Sequence, residues 1–197
     1  MNQVKLPEWL LHIVATLGGV GLFVVAFLDS SVLSFPIVTD LLVIEESVQN
    51  HARMPYYVVM TTIGSLAGCI WLYLLAKKGG EAFYRRRAGA WAERARGWVG
   101  RNAFLSAFVP ALLPPPLPFK VFVFAEGVFQ VPLRTFVTAL LLGRGLRYLI
   151  EGVFAVRYGA LATVFLLQHG RLAGFAVAGV ILILYAVAQI IKPRSAP

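Results

Sequence analysis

The sequence is poor in charged residues and in cysteine, and both shortages restrict what the protein can be. Only 14% of its 197 residues are charged, whereas 59% are hydrophobic, and the mean hydropathy is +0.77. This balance lies outside the range of soluble domains and is typical of a polytopic membrane protein. Cys69 is the sole cysteine, so the chain cannot form an internal disulfide framework or a cysteine zinc site. We predict an all-α fold with a single transmembrane domain, residues 1–197.

The chain also lacks the residue patterns of an enzyme. Its histidines, His12, His51 and His169, lie on separate segments without the spacing of metal ligands. The serines around residue 30 have no neighbouring histidine to act as a base. No GxxxxGK[ST] phosphate-binding loop is present. We therefore predict that the protein is not an enzyme and needs no cofactor or metal.

Basic residues are twice as frequent as acidic ones, 18 against 9, which gives a net charge of +9. The excess is concentrated in residues 77–101, between two hydrophobic regions, and in the C-terminal tail. Such placement follows the positive-inside rule and does not favour nucleic-acid binding. The sequence predicts that the 77–101 loop and the C-terminus are cytoplasmic, and that the loop contains an amphipathic helix resting on anionic lipids.

A proline-rich interruption divides the apolar segment 103–126. Internal prolines remove helical hydrogen bonds and clash with the preceding turn. We therefore expect a half-helix over 103–113, a turn, and a return near 119–126. Irregular backbone at membrane depth requires protein or a water-filled cavity around it. The segment thus predicts a re-entrant hairpin, the second hairpin region.

A similar interruption, Asp29 to Pro36, lies in a first hairpin region, residues 22–48. The preceding apolar segment 10–27 is either a full span or one arm of this hairpin, and we favour the full span because the segment is nearly uncharged. Residues 56–76 are a predicted transmembrane helix, in which Gly64 and Gly68 suit close helix packing.

Two further helices are predicted after the second hairpin, at 136–150 and 171–191. Counting crossings from the basic loop, the first hairpin enters from outside and the second from inside. The resulting prediction is a polytopic membrane protein with two opposed re-entrant hairpins in an inverted-repeat arrangement, as in transporters whose substrate sites lie between the repeats.

Ionisable residues inside the apolar segments are the candidate substrate-binding or gating groups, because charges at membrane depth are costly and usually functional. They are Asp29, Asp40, Lys120, Glu126, Arg144, Arg147 and Glu151. A carboxylate beside a lysine or arginine in such a site is compatible with proton coupling. The alternatives are structural: Asp29 could cap a half-helix, Lys120 could extend to the membrane surface, and Glu126 could lie at the interface.

Arg144, Arg147 and Glu151 share one helical face, with Arg147 and Glu151 at ion-pair spacing. Two guanidinium groups facing one carboxylate leave a positive charge that could bind an anion, and arginine suits phosphate. A lipid phosphate is the ligand this pattern favours. The alternative is a structural Arg147–Glu151 bridge with Arg144 at the membrane interface.

Several motifs occur together in one order and spacing. They are Phe27-Leu28-Asp29-Ser30-Ser31, Phe35-Pro36, Asp40, Phe108-Val109-Pro110, Pro114-Pro115-Pro116-Leu117-Pro118-Phe119-Lys120, Glu126-Gly127-Val128-Phe129, and Gly143-Arg144 through Arg147-Tyr148. This combination resembles the DedA superfamily, also called the VTT or SNARE-associated domain, and most closely its YqaA-like branch. The resemblance covers about residues 22–158.

The resemblance implies a multi-pass protein of the bacterial inner membrane with two opposed re-entrant hairpins. Relatives are implicated in lipid movement between leaflets, including undecaprenyl phosphate recycling and phospholipid scrambling. Asp29 and Asp40 are similar to the family's acidic positions in the first hairpin, and Pro110 to its proline motif in the second. Better-studied members have arginines flanking that motif, whereas here Ser106, Ala107, Leu112 and Leu113 occupy the neighbourhood, with Lys120 or the Arg144 and Arg147 pair as candidate substitutes.

The predicted function is therefore a flippase or scramblase that moves an anionic phospholipid or a polyprenyl phosphate between leaflets, with proton coupling as an option. The expected partners are anionic membrane lipids and protons, without nucleic acid, and an oligomer is compatible with the sequence. Two alternatives remain: a membrane-organising or assembly protein without transport, and a transporter of small solutes or ions.

Overall fold

A computed structural model describes residues 16–31, 37–87, 90–113 and 119–159, together with residues 161 and 179. Within these ranges all regular structure is helical. The α-helices, in chain order, are α1 (Gly19–Ser30), α2 (Val38–Gln49), α3 (Met54–Arg87), α4 (Ala90–Arg101), α5 (Ala103–Leu112), α6 (Phe119–Val128) and α7 (Leu133–Tyr158). We call α1 and α2 the first helix pair, and α5 and α6 the second helix pair.

The long helix α3 follows a 3-10 turn at His51–Arg53. The stretch His51–Gly80, with a hydropathy of 1.9, is the one helix in the described ranges that is long and apolar enough to cross a membrane. This observation confirms the predicted helix over 56–76. The helices α1 and α5 are also apolar but are shorter.

Helix α1 packs along the first half of α3 at very short range. A Cβ atom on Gly64 or Gly68 would collide with the backbone carbonyls of Phe23 and Phe27, respectively. The prediction that these glycines mediate close packing is therefore confirmed. The end of α1 reaches the middle of the His51–Gly80 stretch, where the hydroxyls of Ser30 and Ser65 are 2.8 Å apart.

Helix α6 packs along the second half of α3. Gly127 lies against the backbone of Tyr73 and the side chain of Ala76, and Val128 lies against Gly80. The Tyr73 hydroxyl closes this contact by donating a 2.6 Å hydrogen bond to the carbonyl of Val131, in the connection between α6 and α7. The first and second helix pairs therefore approach α3 along different halves.

Helix α7 lies antiparallel to α3. Gly152, late in α7, contacts Met54 at the start of α3, whereas Tyr73, late in the apolar stretch, stacks on Phe136 near the start of α7 at 4.7 Å. These two contacts bracket an interface in which the buried aromatic rings Tyr73 and Phe136 contribute to the main apolar core.

Helix α7 contacts the other two helices of the pairs, α5 and α2, just as α3 contacts α1 and α6. Gly143 contacts Ala111 of α5, and Ile44 of α2 packs with Ala155 farther along α7. The first half of each long helix therefore contacts the first helix of the pair that precedes it: α1 on α3, and α5 on α7. The second half contacts the second helix of the other pair: α6 on α3, and α2 on α7. Each half of the chain thus packs a helix against the long helix of the other half.

Two sequence predictions require correction. The segment 10–27 does not form one continuous helix in its described part, because Gly18 adopts φ 54° and α1 begins after it. The alternative, an arm of a helix pair, fits the described residues better. The helix predicted over 56–76 is also too short, because α3 continues to Arg87 and so enters the region 77–101; α4 covers most of the rest of that region, where the sequence predicts a helix.

The helical parts of the proline-rich segment are confirmed, since α5 and α6 match the predicted half-helices closely. Helix α7 confirms the helix predicted over 136–150 and extends it at both ends. Residues 10–15, the proline run 114–118, the predicted span 171–191 and the basic tail lie outside the described residues.

Candidate functional site

Arg147, on α7, connects the two helix pairs. Its Nη2 forms an ion pair with the carboxylate of Asp40, in the first turn of α2. Its Nη1 donates a 3.1 Å hydrogen bond to the carbonyl of Leu113, just after α5, and its Nε donates to Glu151 Oε1 at 3.0 Å. All three charged side chains are buried. One guanidinium therefore joins the tip of each pair to α7.

Local structure explains why these partners are available. Asp40 lies where the positive end of the α2 dipole favours a carboxylate. The carbonyl of Leu113 follows the last turn of α5, where helical donors are missing. Arg147 and Glu151 are one turn apart on α7, as the sequence predicted. Arg147 thus acts as a C-terminal cap for α5 while it neutralises a carboxylate of α2.

Arg144 lies one turn earlier on α7 and is 6% exposed. Its guanidinium carbon is 4.1 Å from the ring centroid of Phe119, the first residue of α6. Nη1 donates a 3.1 Å hydrogen bond to the Tyr148 hydroxyl, but Nε is buried without a hydrogen-bond partner. Arg144 therefore lies in the protein interior rather than on its surface, and its depth in the membrane stays a prediction.

Asp29 and Lys120 extend the same polar region. Thr39 donates a 3.2 Å hydrogen bond to Asp29 Oδ2, and the charges of Asp29 and Arg144 both act on Lys120. Asp29 lies at the C-terminal end of α1, so it does not cap the start of that helix. The negative Asp29 is at the C-terminus of α1 and the positive Lys120 is near the N-terminus of α6, and the helix macrodipole disfavours each charge at that end. Helix stability therefore does not explain either residue.

We call these six side chains the central charged cluster: Asp29, Asp40, Lys120, Arg144, Arg147 and Glu151. The cluster contains three carboxylates and three cations, and it lies where the tips of the two helix pairs meet α7. Its formal charge is therefore zero. Glu151 nevertheless leaves Oε2 buried without a hydrogen-bond partner, as Arg144 leaves Nε, so the chain does not satisfy every polar atom of the cluster.

Two predicted site residues lie outside this cluster. Glu126, on α6, is 2% exposed, and its Oε2 has no hydrogen-bond partner. Its environment includes Ser106 of α5 and Tyr73 of α3. Pro110 is buried inside α5, where it cannot donate a hydrogen bond to the carbonyl of Ser106. Glu126 is therefore in the protein interior, and Pro110 affects backbone bonding rather than charge.

Sequence reasoning missed several partners of the charged residues. Tyr148 has a signal, since it follows Arg144 at the i+4 spacing at which helix side chains meet. Thr39 precedes Asp40, but only the fold places its hydroxyl on Asp29. The Leu113 carbonyl and the Phe119 ring have no pattern in the sequence that assigns them to arginine. Within the described ranges, no group of three or more His, Cys, Asp or Glu side chains could hold a metal.

The profile of the VTT domain family matches residues 37–157, from the start of α2 almost to the end of α7. Comparisons with curated proteins and with solved structures returned no significant match. The matched region contains both long helices and five of the six residues of the central charged cluster, and it covers more than half of the chain. The protein therefore belongs to the VTT domain family.

Proposed function

We propose that this protein is a lipid transporter, a flippase or scramblase, that moves an anionic phospholipid or a polyprenyl phosphate between the leaflets of the bacterial inner membrane. VTT domain proteins are membrane proteins of transporter type. The observation that carries the proposal is the burial of four charged residues of the central charged cluster, Asp40, Arg144, Arg147 and Glu151, where the two helix pairs meet α7. Buried charges in a membrane domain are costly and are usually retained for function.

In this proposal the helix pairs are re-entrant hairpins that enter the membrane from opposite faces. Helices α1 and α6 each span about 15 to 18 Å, from their lengths of 12 and 10 residues. Each is therefore shorter than a hydrocarbon core of about 30 Å. Their placement on different halves of α3 supports entry from opposite sides, with the basic region 77–101 and the C-terminus in the cytoplasm. Membership of the YqaA-like branch belongs to the same proposal.

The central charged cluster divides into two groups with different roles. Arg147 has three N–H donors directed at Asp40, Glu151 and the Leu113 carbonyl, so it holds the hairpin tips together and gates the site. Arg144 has fewer bonds: its Nε is unpartnered and its guanidinium stacks on an aromatic ring.

We assign the phosphate of the lipid headgroup to Arg144 and the half-buried Lys120, because charge-assisted bonds from arginine and lysine suit phosphate. Asp29 competes with that phosphate, since its negative charge already acts on Lys120. An arriving headgroup would replace Asp29 as the anion facing Lys120. The lipid tails would stay in the bilayer while the headgroup crosses between the hairpin tips.

Liposomes with purified protein and a fluorescent anionic phospholipid, or a polyprenyl phosphate, provide the test. We expect protein-dependent exchange of the probe between leaflets, and at least a tenfold slower exchange in Arg144→Gln, the loss of about 1.4 kcal/mol of charged hydrogen bonding. Arg134→Gln, an exposed arginine near the start of α7, is the matched control and should exchange lipid normally.

Equal accessibility of the probe in both leaflets with and without protein would refute lipid transport. Uptake of a water-soluble solute without lipid exchange would indicate the small-solute transporter. Loss of cellular function on disruption of the 77–101 region, with Arg144→Gln unaffected, would indicate a membrane-organising protein.

A further inference from the structure

Glu126 is a buried carboxylate that the proposed headgroup path does not use. Its side chain is 2% exposed, and Oε2 has no hydrogen-bond partner. Neither ion pair identified in the described ranges includes it. Asp40 and Glu151, by contrast, both pair with Arg147. Glu126 is thus a buried carboxyl group for which the described residues supply no ion-pair partner, and burial without such a partner makes the charged form costly.

The surroundings of Glu126 come from two other helices. From α5, the Ser106 hydroxyl faces it, and this hydroxyl already donates a 3.1 Å hydrogen bond to the carbonyl of Ala103. A hydroxyl that donates elsewhere can still accept. From α3, Tyr73 is close enough for the charge of Glu126 to act on it, and its phenol donates a hydrogen bond to the Val131 carbonyl. Ser106 can therefore accept a hydrogen bond from a protonated Glu126, while Tyr73 has its own acceptor.

The residue after Glu126 lies beside an exposed lysine of α3. This residue, Gly127, lies against the backbone of α3 at Tyr73 and Lys77, and the Lys77 side chain is exposed. Helix α5 beside it contains Pro110, which leaves the Ser106 carbonyl without its helical donor. Prolines inside helices are sites of bending. The contact that covers Glu126 therefore includes a helix that is weakened one turn away.

We propose that Glu126 is a proton-binding site of the transporter, separate from the central charged cluster. It holds a proton in this conformation, with the acid O–H donating to Ser106, and it releases that proton to water when the second helix pair opens beside Lys77. Release leaves a carboxylate, and re-closure requires the proton to return. This inference rests on the proposed lipid transport, to which it adds the coupling group.

The same geometry favours a proton over a metal cation. A sodium- or calcium-type site needs several oxygen ligands around the ion. In the described part of the chain, Glu126 belongs to no group of three or more acidic, histidine or cysteine side chains that could hold a metal, and the Tyr73 phenol is engaged with a carbonyl. A single carboxyl group with one hydroxyl acceptor matches a proton.

Infrared difference spectroscopy on the protein in liposomes tests the site without any transport assay. We expect the carbonyl band of a protonated, hydrogen-bonded acid at neutral pH, lost in Glu126→Gln and shifted in Ser106→Ala. Glu45→Gln, which changes an exposed carboxylate of α2, should leave the band unchanged. Glu126→Asp is a second variant that should keep a titrating acid band. A wild-type spectrum that Glu126→Gln does not alter at neutral pH would overturn the proposal.

Lipid exchange under an imposed pH gradient tests the coupling. We expect the gradient to accelerate exchange in the wild type and in Glu45→Gln but not in Glu126→Gln. A full gradient response in Glu126→Gln would overturn the coupling role. If the wild type exchanges no lipid at all, the proposed function fails and the coupling role fails with it, while the infrared band still decides whether Glu126 binds a proton.

Discussion

Replacing Arg147 by methionine should destabilise the protein more than any other single arginine substitution on α7. Methionine has a similar length but no charge, so two buried carboxylates, Asp40 and Glu151, lose their common partner. The carbonyl of Leu113 loses its donor as well. The change therefore separates both helix pairs from the helix that joins them.

The magnitude follows from the burial of these groups. Arg147, Asp40 and Glu151 are 7%, 3% and 9% exposed, respectively, so water cannot easily replace the lost partner. Removing one member of a buried ion pair costs about 3 to 5 kcal/mol. In a domain of this size, 1 kcal/mol corresponds to about 2 to 4 °C in Tm, so we expect Tm to fall by about 6 to 20 °C.

The protein supplies its own reporter for this measurement. Cys69 is the only cysteine and is 0% exposed, so a maleimide dye that fluoresces on reacting with thiols reports unfolding in detergent or liposomes. Arg134→Met, at an exposed position of the same helix, should melt within about 2 °C of the wild type, because exposed charges contribute little.

A triple variant distinguishes the cost of the unpaired carboxylates from the cost of the changed side-chain shape at position 147. Adding Asp40→Asn and Glu151→Gln to Arg147→Met removes the stranded carboxylates, so the triple variant should recover part of the lost Tm. If Arg147→Met has the same Tm as Arg134→Met, the Arg147 guanidinium does not hold the helix pairs together. If the triple variant melts below Arg147→Met, the orphaned charges are not the cause of the loss.

Three further predictions use the same thiol assay. Gly64→Ala should lower the free energy of unfolding by about 1 to 3 kcal/mol, because its methyl group would meet the Phe23 backbone. Gly79→Ala, which has open space around it, is the control and should be neutral or stabilising. Equal Tm values for the two variants would contradict the close packing at Gly64. Tyr73→Phe should cost about 1 kcal/mol through its lost bond to the carbonyl after α6, and an unchanged Tm would argue against that bond. Ile37→Gly should stabilise by about 1 kcal/mol, because Ile37 has φ 74°, and a lower Tm would show that this conformation is not strained.

Some of this fold could be predicted from the sequence because its signals are local. The prolines after Leu113 mark where α5 must end, and Gly64 and Gly68 mark a close helix contact that the structure contains. The Arg147–Glu151 ion pair follows from i+4 spacing alone. Each of these features depends on residues within a turn or two of one another, so a single sequence carries the information.

The rest depends on contacts that spacing does not encode. Asp40 and Arg147 are 107 residues apart in the sequence, and they meet only because α2, in the first half of the chain, packs against α7 in the second half. The sequence predicts a helix within the basic region 77–101, but the charges after residue 76 do not mark the end of α3, which continues to Arg87, since arginine and lysine are good helix formers. The break at Gly18 was missed because an apolar run gives no sign of a glycine with positive φ.

The balance of the central charged cluster limits how an anionic lipid could enter it. Three carboxylates and three cations are already paired in charge, so a phosphate that binds Arg144 and Lys120 brings an uncompensated negative charge into a low-dielectric site, at a cost. Displacing Asp29 toward water removes one negative charge from the site, and protonation of a carboxylate neutralises another. Because Arg147 locks Asp40 and Glu151 in place, these two are the least available for either response. Under the proposed function, the charges outside the Arg147 network, Asp29 at the end of α1 and Lys120 at the start of α6, respond to the headgroup, and the Arg147 network preserves the scaffold while they do.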